Sequence, residues 1–202
     1  MDSFISLAKQ GYEAYSESHS NVSKTGGSEY NSPDNQPQGA GRPNFDDDEV
    51  VQNAAQNGSG HSSMFAQAMN HVKGNSQEHE DPINEEEVTN SHKEAYERGN
   101  GGSLDAGSMG GAAAIQIFKQ FTSGGGSGGG SSQNQLISMA MAEASNLFES
   151  SGGASSGSKQ DAVNSAGMTV MKLLVQSKLS SAMGGGNSGG LGGLMGLASK
   201  FI

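Results

Sequence analysis

Residues 134–148 read NQLISMAMAEASNLF, and within them Leu136, Ile137, Ala140, Met141, Ala144, Leu147 and Phe148 recur at intervals of three and four. That period lines them along one side of an α-helix, whereas a half-buried strand would alternate every second residue. A second stretch, SKQDAVNSAGMTVMKLL from Ser158 to Leu174, carries Ala162, Val163, Ala166, Val170, Leu173 and Leu174 in the same way and predicts a long helix over about 159–182. These two segments are expected at the centre of the fold.

Weaker stripes lie on both sides. Ala114, Ile117, Phe118 and Phe121 fall on one face, as do Met64, Phe65, Ala68, Met69 and Val72. Asp46-Asp47-Asp48-Glu49 precedes Val50, Val51, Ala54 and Ala55, and acids suit the positive end of a helix dipole. Asp81-Pro82, followed by Glu85-Glu86-Glu87, predicts a helix start with Asp at the cap and Pro at the first helical position. No run alternates β-branched and aromatic residues. The expected fold is all-α: a loose bundle of five to six short helices with long disordered Gly/Ser linkers.

Composition limits how much of the chain can pack. Of 202 residues, 32 are Gly and 32 are Ser, while Leu, Ile, Val and Phe together number 31. Apolar burial must offset about 1–2 kcal/mol of backbone entropy per ordered residue, so one core cannot span the whole length. The expected organisation is an amphipathic segment at 1–15, a disordered linker at 16–44, a helical domain at 46–183 and a Gly-rich amphipathic tail at 184–202. Spacers at 99–110, 123–132 and 150–158 interrupt the domain.

Charge is uneven. Residues 1–103 hold 17 acids against 6 Lys and Arg, and residues 104–202 hold 4 acids against 5 Lys. An acidic front half repels phosphate backbones and anionic membranes, so no nucleic-acid partner is expected. No apolar run approaches the ~18 residues of a membrane span. The absence of Cys excludes disulfides and thiolate chemistry and suits a reducing compartment; the expected location is the cytoplasm, with the nucleus as a second site. The first residues lack the basic and apolar regions of a secretory leader.

Motifs that carry chemistry are missing. Gly124–Gly130 lacks the Gly-Lys-Ser/Thr ending of a phosphate loop and reads as a spacer. His71, His79, Glu80 and Asp81 sit close in sequence, but no His-x₃-His pair sets two ligands on one helix face. Glu85, Glu86 and Glu87 point around a helix rather than toward one another. No Ser occupies a strand–turn–helix elbow; Ser127 has glycine neighbours only within a spacer. No catalytic, cofactor-binding or metal-binding residue is therefore assigned, and no enzyme is expected. Met109, Met139, Met141, Met168, Met171, Met183 and Met195 suit core filling in a Gly- and Ala-rich bundle, with a partner groove as the alternative.

Val51-Gln-Asn53-Ala-Ala, Val88-Thr-Asn90-Ser-His and Ala162-Val-Asn164-Ser-Ala share a weak pattern. It fits either an internal duplication or a common way of starting helices.

MDSFISLAKQGYEAY, DDDEVVQNAAQ, Val88 to Tyr96, GGAAAIQIFKQF, NQLISMAMAEASNLF, SKQDAVNSAGMTVMKLL and GGLGGLMGLASKFI occur in this order. The layout resembles a fungal family of small proteins labelled "beta-flanking protein". The resemblance covers most of the chain outside 16–44. It implies a fungal, intracellular protein and carries no catalytic residues.

The expected role is non-enzymatic: an interaction or scaffold protein binding partners or itself through amphipathic helices. The alternative is a hydrophilic Gly/Ser-rich stress protectant. Candidate partner-binding residues are Phe4, Ile5 and Tyr12 in the first segment and Leu191, Leu194, Met195 and Phe201 in the last. The last segment is too short and Gly-rich to form a helix alone. It is expected to dock on its own domain, on another copy, on a partner groove or, least of all, on a membrane.

Overall fold

The computed structural model describes residues 43–123 and 130–183. The expected segments 1–15 and 184–202, with Phe4, Ile5, Tyr12, Leu191, Leu194, Met195 and Phe201, lie outside the described residues, as does nearly all of the 16–44 linker. Six α-helices and no strand are present among the described residues. They are α1 Asp47–Asn57, α2 Ser62–Gly74, α3 Glu85–His92, α4 Ala106–Ser123, α5 Gly130–Ser150 and α6 Lys159–Met183. The all-α bundle expected from the periodicities is the fold found.

Short polar side chains start four of the helices. Asp46 accepts a hydrogen bond from the Glu49 amide at 3.1 Å, and Asn84 accepts one from the Glu87 amide at 3.2 Å. Asp105 accepts from the Ser108 amide at 3.0 Å. At α6, Ser158 and Asp161 form a reciprocal pair: the Ser158 amide donates to Asp161 at 2.8 Å and the Asp161 amide to Ser158 Oγ at 3.2 Å. Each satisfies amides that the first helical turn leaves without partners. The three copies of the weak pattern fall on α1, α3 and α6, in or just beyond the first turn each time.

Side-chain bridges fix the helix directions. Asp46 N donates to Asn134 Oδ1 at 3.2 Å near the start of α1 and α5, and Ser59 N donates to Ser145 Oγ at 3.1 Å beyond the end of α1. The two helices therefore run side by side in one direction. Gln160 Nε2 donates to the Met64 carbonyl at 3.0 Å, and a Cβ on Gly167 would touch Val72, so α2 and α6 also run together. The α1–α2 hairpin thus lies along the α5–α6 hairpin, with α4 against both α5 and α6. The core joins Phe65 and Met69 of α2, Met109, Ile115 and Phe118 of α4, Leu136, Ile137 and Met141 of α5, and Val163, Val170, Leu173 and Leu174 of α6.

Three features differ from the expected elements, the first being that residues 130–132, expected within the spacer 123–132, form the first turn of α5. The helix predicted from Asp81-Pro82 begins instead at Glu85, capped by Asn84, while the Asp81 carbonyl accepts from Gln176 Nε2 at 3.3 Å. A short 3₁₀ turn, Ser76–Glu80, fills the interval before it. The stretch 106–110, expected within the spacer 99–110, forms the first turns of α4, with Ala106, Met109 and Gly110 buried. Small residues are needed there because the backbone of α6 lies directly against it.

Of the spacers, 150–158 is tied down by backbone hydrogen bonds. Gly152, Gly153 and Gly157 adopt φ of 74°, 108° and 86°, a region that only Gly enters freely. Ser155 N donates to the Leu104 carbonyl and Ala106 N to the Ser156 carbonyl, each at 2.8 Å. These bonds hold the α5–α6 turn against the approach to α4. No helix among the described residues is long and apolar enough to cross a membrane.

Candidate functional site

The polar face of α6 is flanked by two open clefts of about 340 and 360 Å³, which share Ser165, Thr169 and Lys172. The first lies toward α2 and adds His71, Glu78, Asp161 and Asn164. The second lies toward α3 and α4 and adds Asn84, Glu87, Val88, Ser91, Asp105 and Ser108 among its lining. Hydroxyls, carboxylates, an imidazole and an ammonium group converge on them.

The first cleft brings together Ser165, His71 and Asp161, the residue types of a nucleophilic triad, but their hydrogen bonds run elsewhere. Ser165 Oγ donates to the Gly107 carbonyl at 2.7 Å. The Asp161 carboxylate accepts the Ser158 amide and hydroxyl, both at 2.8 Å. These two bonds hold the Asp161 carboxyl below its ordinary range, and His71 adds a smaller electrostatic contribution. His71 Nδ1 lies 3.3 Å from Asn75 Nδ2, in the last turn of its own helix. A triad requires the base to reach the nucleophile and an acid to orient the base. Neither link is formed.

In the second cleft the carboxylates are likewise engaged with helix starts. Asp105 accepts both the amide and the hydroxyl of Ser108, which hold its carboxyl below the ordinary range. Glu87 accepts from Asn84 Nδ2 at 3.0 Å. Ser91 Oγ donates to the Glu87 carbonyl at 2.8 Å.

Among the described residues no three His, Asp or Glu side chains converge to hold a metal ion. Of the sequence cluster weighed for that role, His71 is exposed, whereas His79 is buried with its Nε2 donating to the Val72 carbonyl at 2.8 Å. The methionines divide similarly between core and margin. Met109 and Met141 are fully buried, Met168 and Met171 nearly so, and Met139 packs against the core from its edge.

Two polar contacts between helices have no signal in the sequence. His92, at the end of α3, donates from Nε2 to Gln116 Oε1 of α4 at 2.8 Å. Tyr96 Oη donates to Glu143 Oε1 of α5 at 2.7 Å. Burial first, then the Glu143 charge and this hydrogen bond, push the Tyr96 phenol well above its ordinary value. Both pairs join residues far apart in the chain, which periodicity does not relate.

A family model described as a domain of unknown function, DUF7721, matches residues 46–126. No curated protein and no solved structure matches the chain. Residues 46–126 are thus similar to the DUF7721 domain family, and the match stops before the α5–α6 hairpin that supplies the other side of the core.

Proposed function

We propose that the protein is a non-enzymatic interaction or scaffold protein whose helical bundle carries binding segments at its two ends. The observation behind this reading is the polarity of the bundle's exterior. No Ala, Val, Ile, Leu, Met, Phe or Tyr whose exposure is described is exposed, so the bundle keeps its apolar side chains for itself. The apolar residues assigned to a partner on this reading are those of the flanking segments: Phe4, Ile5 and Tyr12 in the first, Leu191, Leu194, Met195 and Phe201 in the last. The engagement of Asp105, Asp161 and Ser165 in helix caps and backbone bonds further supports a role without catalysis. The acid excess of residues 1–103 favours protein partners over nucleic acid.

The test compares the full chain with one ending at Gly190. The reading expects truncation to leave the helical signal and its melt intact while removing a bound partner or a self-associated species, read by pull-down and light scattering. An identical partner list and identical particle mass for both forms would overturn it. A full-length protein that shows no thermal transition, yet protects a heat-labile enzyme without binding it, would favour a hydrated stress protectant instead.

A further inference from the structure

Of the helices whose burial is fully described, α3 alone seats polar residues in the interior: its buried positions are Ser91 and His92. By contrast α1 buries Val50 and Ala54, and α2 buries Phe65, Ala68, Met69 and Val72. The Ser91 hydroxyl bonds within its own helix, to the Glu87 carbonyl. Besides the packing of Ala95, Ile83, Val88 and Tyr96 on the core, the segment 76–97 is tied to its neighbours by hydrogen bonds from His79 to the Val72 carbonyl, Gln176 to the Asp81 carbonyl, His92 to Gln116, and Tyr96 to Glu143. Two of these four ties are made by imidazoles that are 2% and 6% exposed. Immediately after His92 the backbone widens into one π turn, Lys93–Glu97, closed by Arg98 N donating to the Lys93 carbonyl at 3.0 Å. Such turns replace the regular helical ladder locally and recur at functional sites.

We infer that residues 76–97 form an acid-sensitive flap, which undocks from α4 when His92 takes up a proton. The groups around His92 set the direction. Its own helical segment presents Lys93, the Tyr96 ring at 5.2 Å and Glu97; α4 presents Gln116 and Lys119; α5 reaches this layer through Glu143, bonded to Tyr96. Burial is the largest influence and disfavours the imidazolium. The Gln116 hydrogen bond and Glu97 favour it, while Lys119 and Lys93 disfavour it. The balance leaves the docked ring harder to protonate than a free one. A released flap therefore binds the proton first as pH falls, and docking strength present above the ordinary histidine value of 6.5 declines below it. Asp105 and Asp161 are held below their ordinary range, so the caps of α4 and α6 stay charged in that interval. Undocking would remove Asn84, Glu87, Val88 and Ser91 from the wall of the second cleft and uncover Gly111 and Thr169 beneath them.

Hydrogen exchange on the full chain, corrected for intrinsic rates, tests this at about pH 7.5 and about pH 5.5. Protection within 76–97 is expected to fall by more than about threefold on acidification, while peptides from α5 and α6 keep theirs. His92→Gln retains a donor for Gln116 without a titrating ring and should abolish the loss; His79→Gln should not. Unchanged protection in 76–97, a parallel loss in α5 and α6, or a loss that persists in His92→Gln would each overturn the inference. A proton NMR titration of the unsubstituted protein provides a check that needs no variant. A His92 midpoint below about 6.5 is expected, and one at or above it would contradict the flap.

Discussion

Gly110 of α4 lies against the backbone of α6 so closely that a Cβ at this position would come within 2.2 Å of the Ala162 carbonyl oxygen. The same Cβ would lie 2.8 Å from Ser165 Cβ and 2.9 Å from the Ala166 amide. All three obstacles are fixed parts of α6 rather than ends of flexible side chains. The contact explains why a helix passes through Ala106-Gly-Ser-Met-Gly-Gly, a run whose intrinsic preferences argue against one: Gly costs each such position about 1 kcal/mol relative to Ala. Close approach of the two helices offsets that cost.

The adjacent Gly111 provides the control. A Cβ there would meet Val88 at 3.7 Å and Thr169 at 3.9 Å, ordinary contact distances. Gly110→Ala should lower stability by about 3 kcal/mol through overpacking. Gly111→Ala should be neutral or stabilising by up to about 1 kcal/mol through helix propensity. Denaturant unfolding followed by circular dichroism separates the two. Equal effects would mean that α4 and α6 are not packed through Gly110.

Some helices of the bundle are written plainly in the sequence and others are not. Phe65, Ala68, Met69 and Val72 of α2 and the stripe of α5 follow helical period closely, so those elements were legible residue by residue. The beginning of α4 was not, because a Gly in a spacer and a Gly in a helix crossing look alike until the second helix is in place. In α6, Val163, Ala166, Met168, Val170, Met171, Leu173 and Leu174 are all buried, so neighbours cover it on several sides and the one-faced stripe is blurred. The shift of the α3 start from Asp81-Pro82 to Asn84 reflects two acceptable caps three residues apart, between which local chemistry does not choose. Of the clefts, only residue types were legible. That Asp105 and Asp161 cap helices follows from positions just before or within a first turn, which depended on locating the turns.

The reciprocal pair at the start of α6 gives a second prediction. Asp161→Ala removes the acceptor for both the amide and the hydroxyl of Ser158 and should cost about 1 kcal/mol. Because the folded-state carboxyl is held below its ordinary value of 3.8, its contribution is present above that value and is lost as pH falls through the lower folded value. The stability difference between the unsubstituted protein and Asp161→Ala should therefore be constant near neutrality and shrink only under strongly acidic conditions. A difference that vanishes already near pH 6 would exclude the cap as its source.

Tyr96 titrates in the opposite sense. Its phenol is raised above the ordinary value of 10.0, so its hydrogen bond to Glu143 stabilises fully below that value and is lost as pH rises through the folded one. The other tyrosines, Tyr12, Tyr15 and Tyr30, precede the described residues. Subtracting the alkaline absorbance titration of Tyr96→Phe from that of the unsubstituted protein isolates Tyr96. The difference should appear only above pH 10, together with loss of helical signal, and Tyr96→Phe should cost about 1 kcal/mol near neutrality. An ordinary midpoint near 10 in the difference curve would remove the buried Tyr96–Glu143 link.

The folding unit extends beyond the family match at 46–126 and needs α5 and α6 to close its core. Without them Phe65, Met69, Ile115 and Phe118 lose Leu136, Ile137, Met141, Val163, Val170, Leu173 and Leu174 as neighbours. Loss of that burial exceeds what a small domain holds in reserve, since a buried Leu, Ile, Val or Met is worth about 1.5–3 kcal/mol and whole domains are stable by about 5–15 kcal/mol. The decisive measurement is a circular dichroism melt of residues 43–183 beside one of residues 46–126. A single cooperative helical transition is expected for 43–183 and none for 46–126, with helical signal recovered when 46–126 is mixed with 127–183. A cooperative melt of 46–126 alone, at the midpoint of the longer chain, would contradict it.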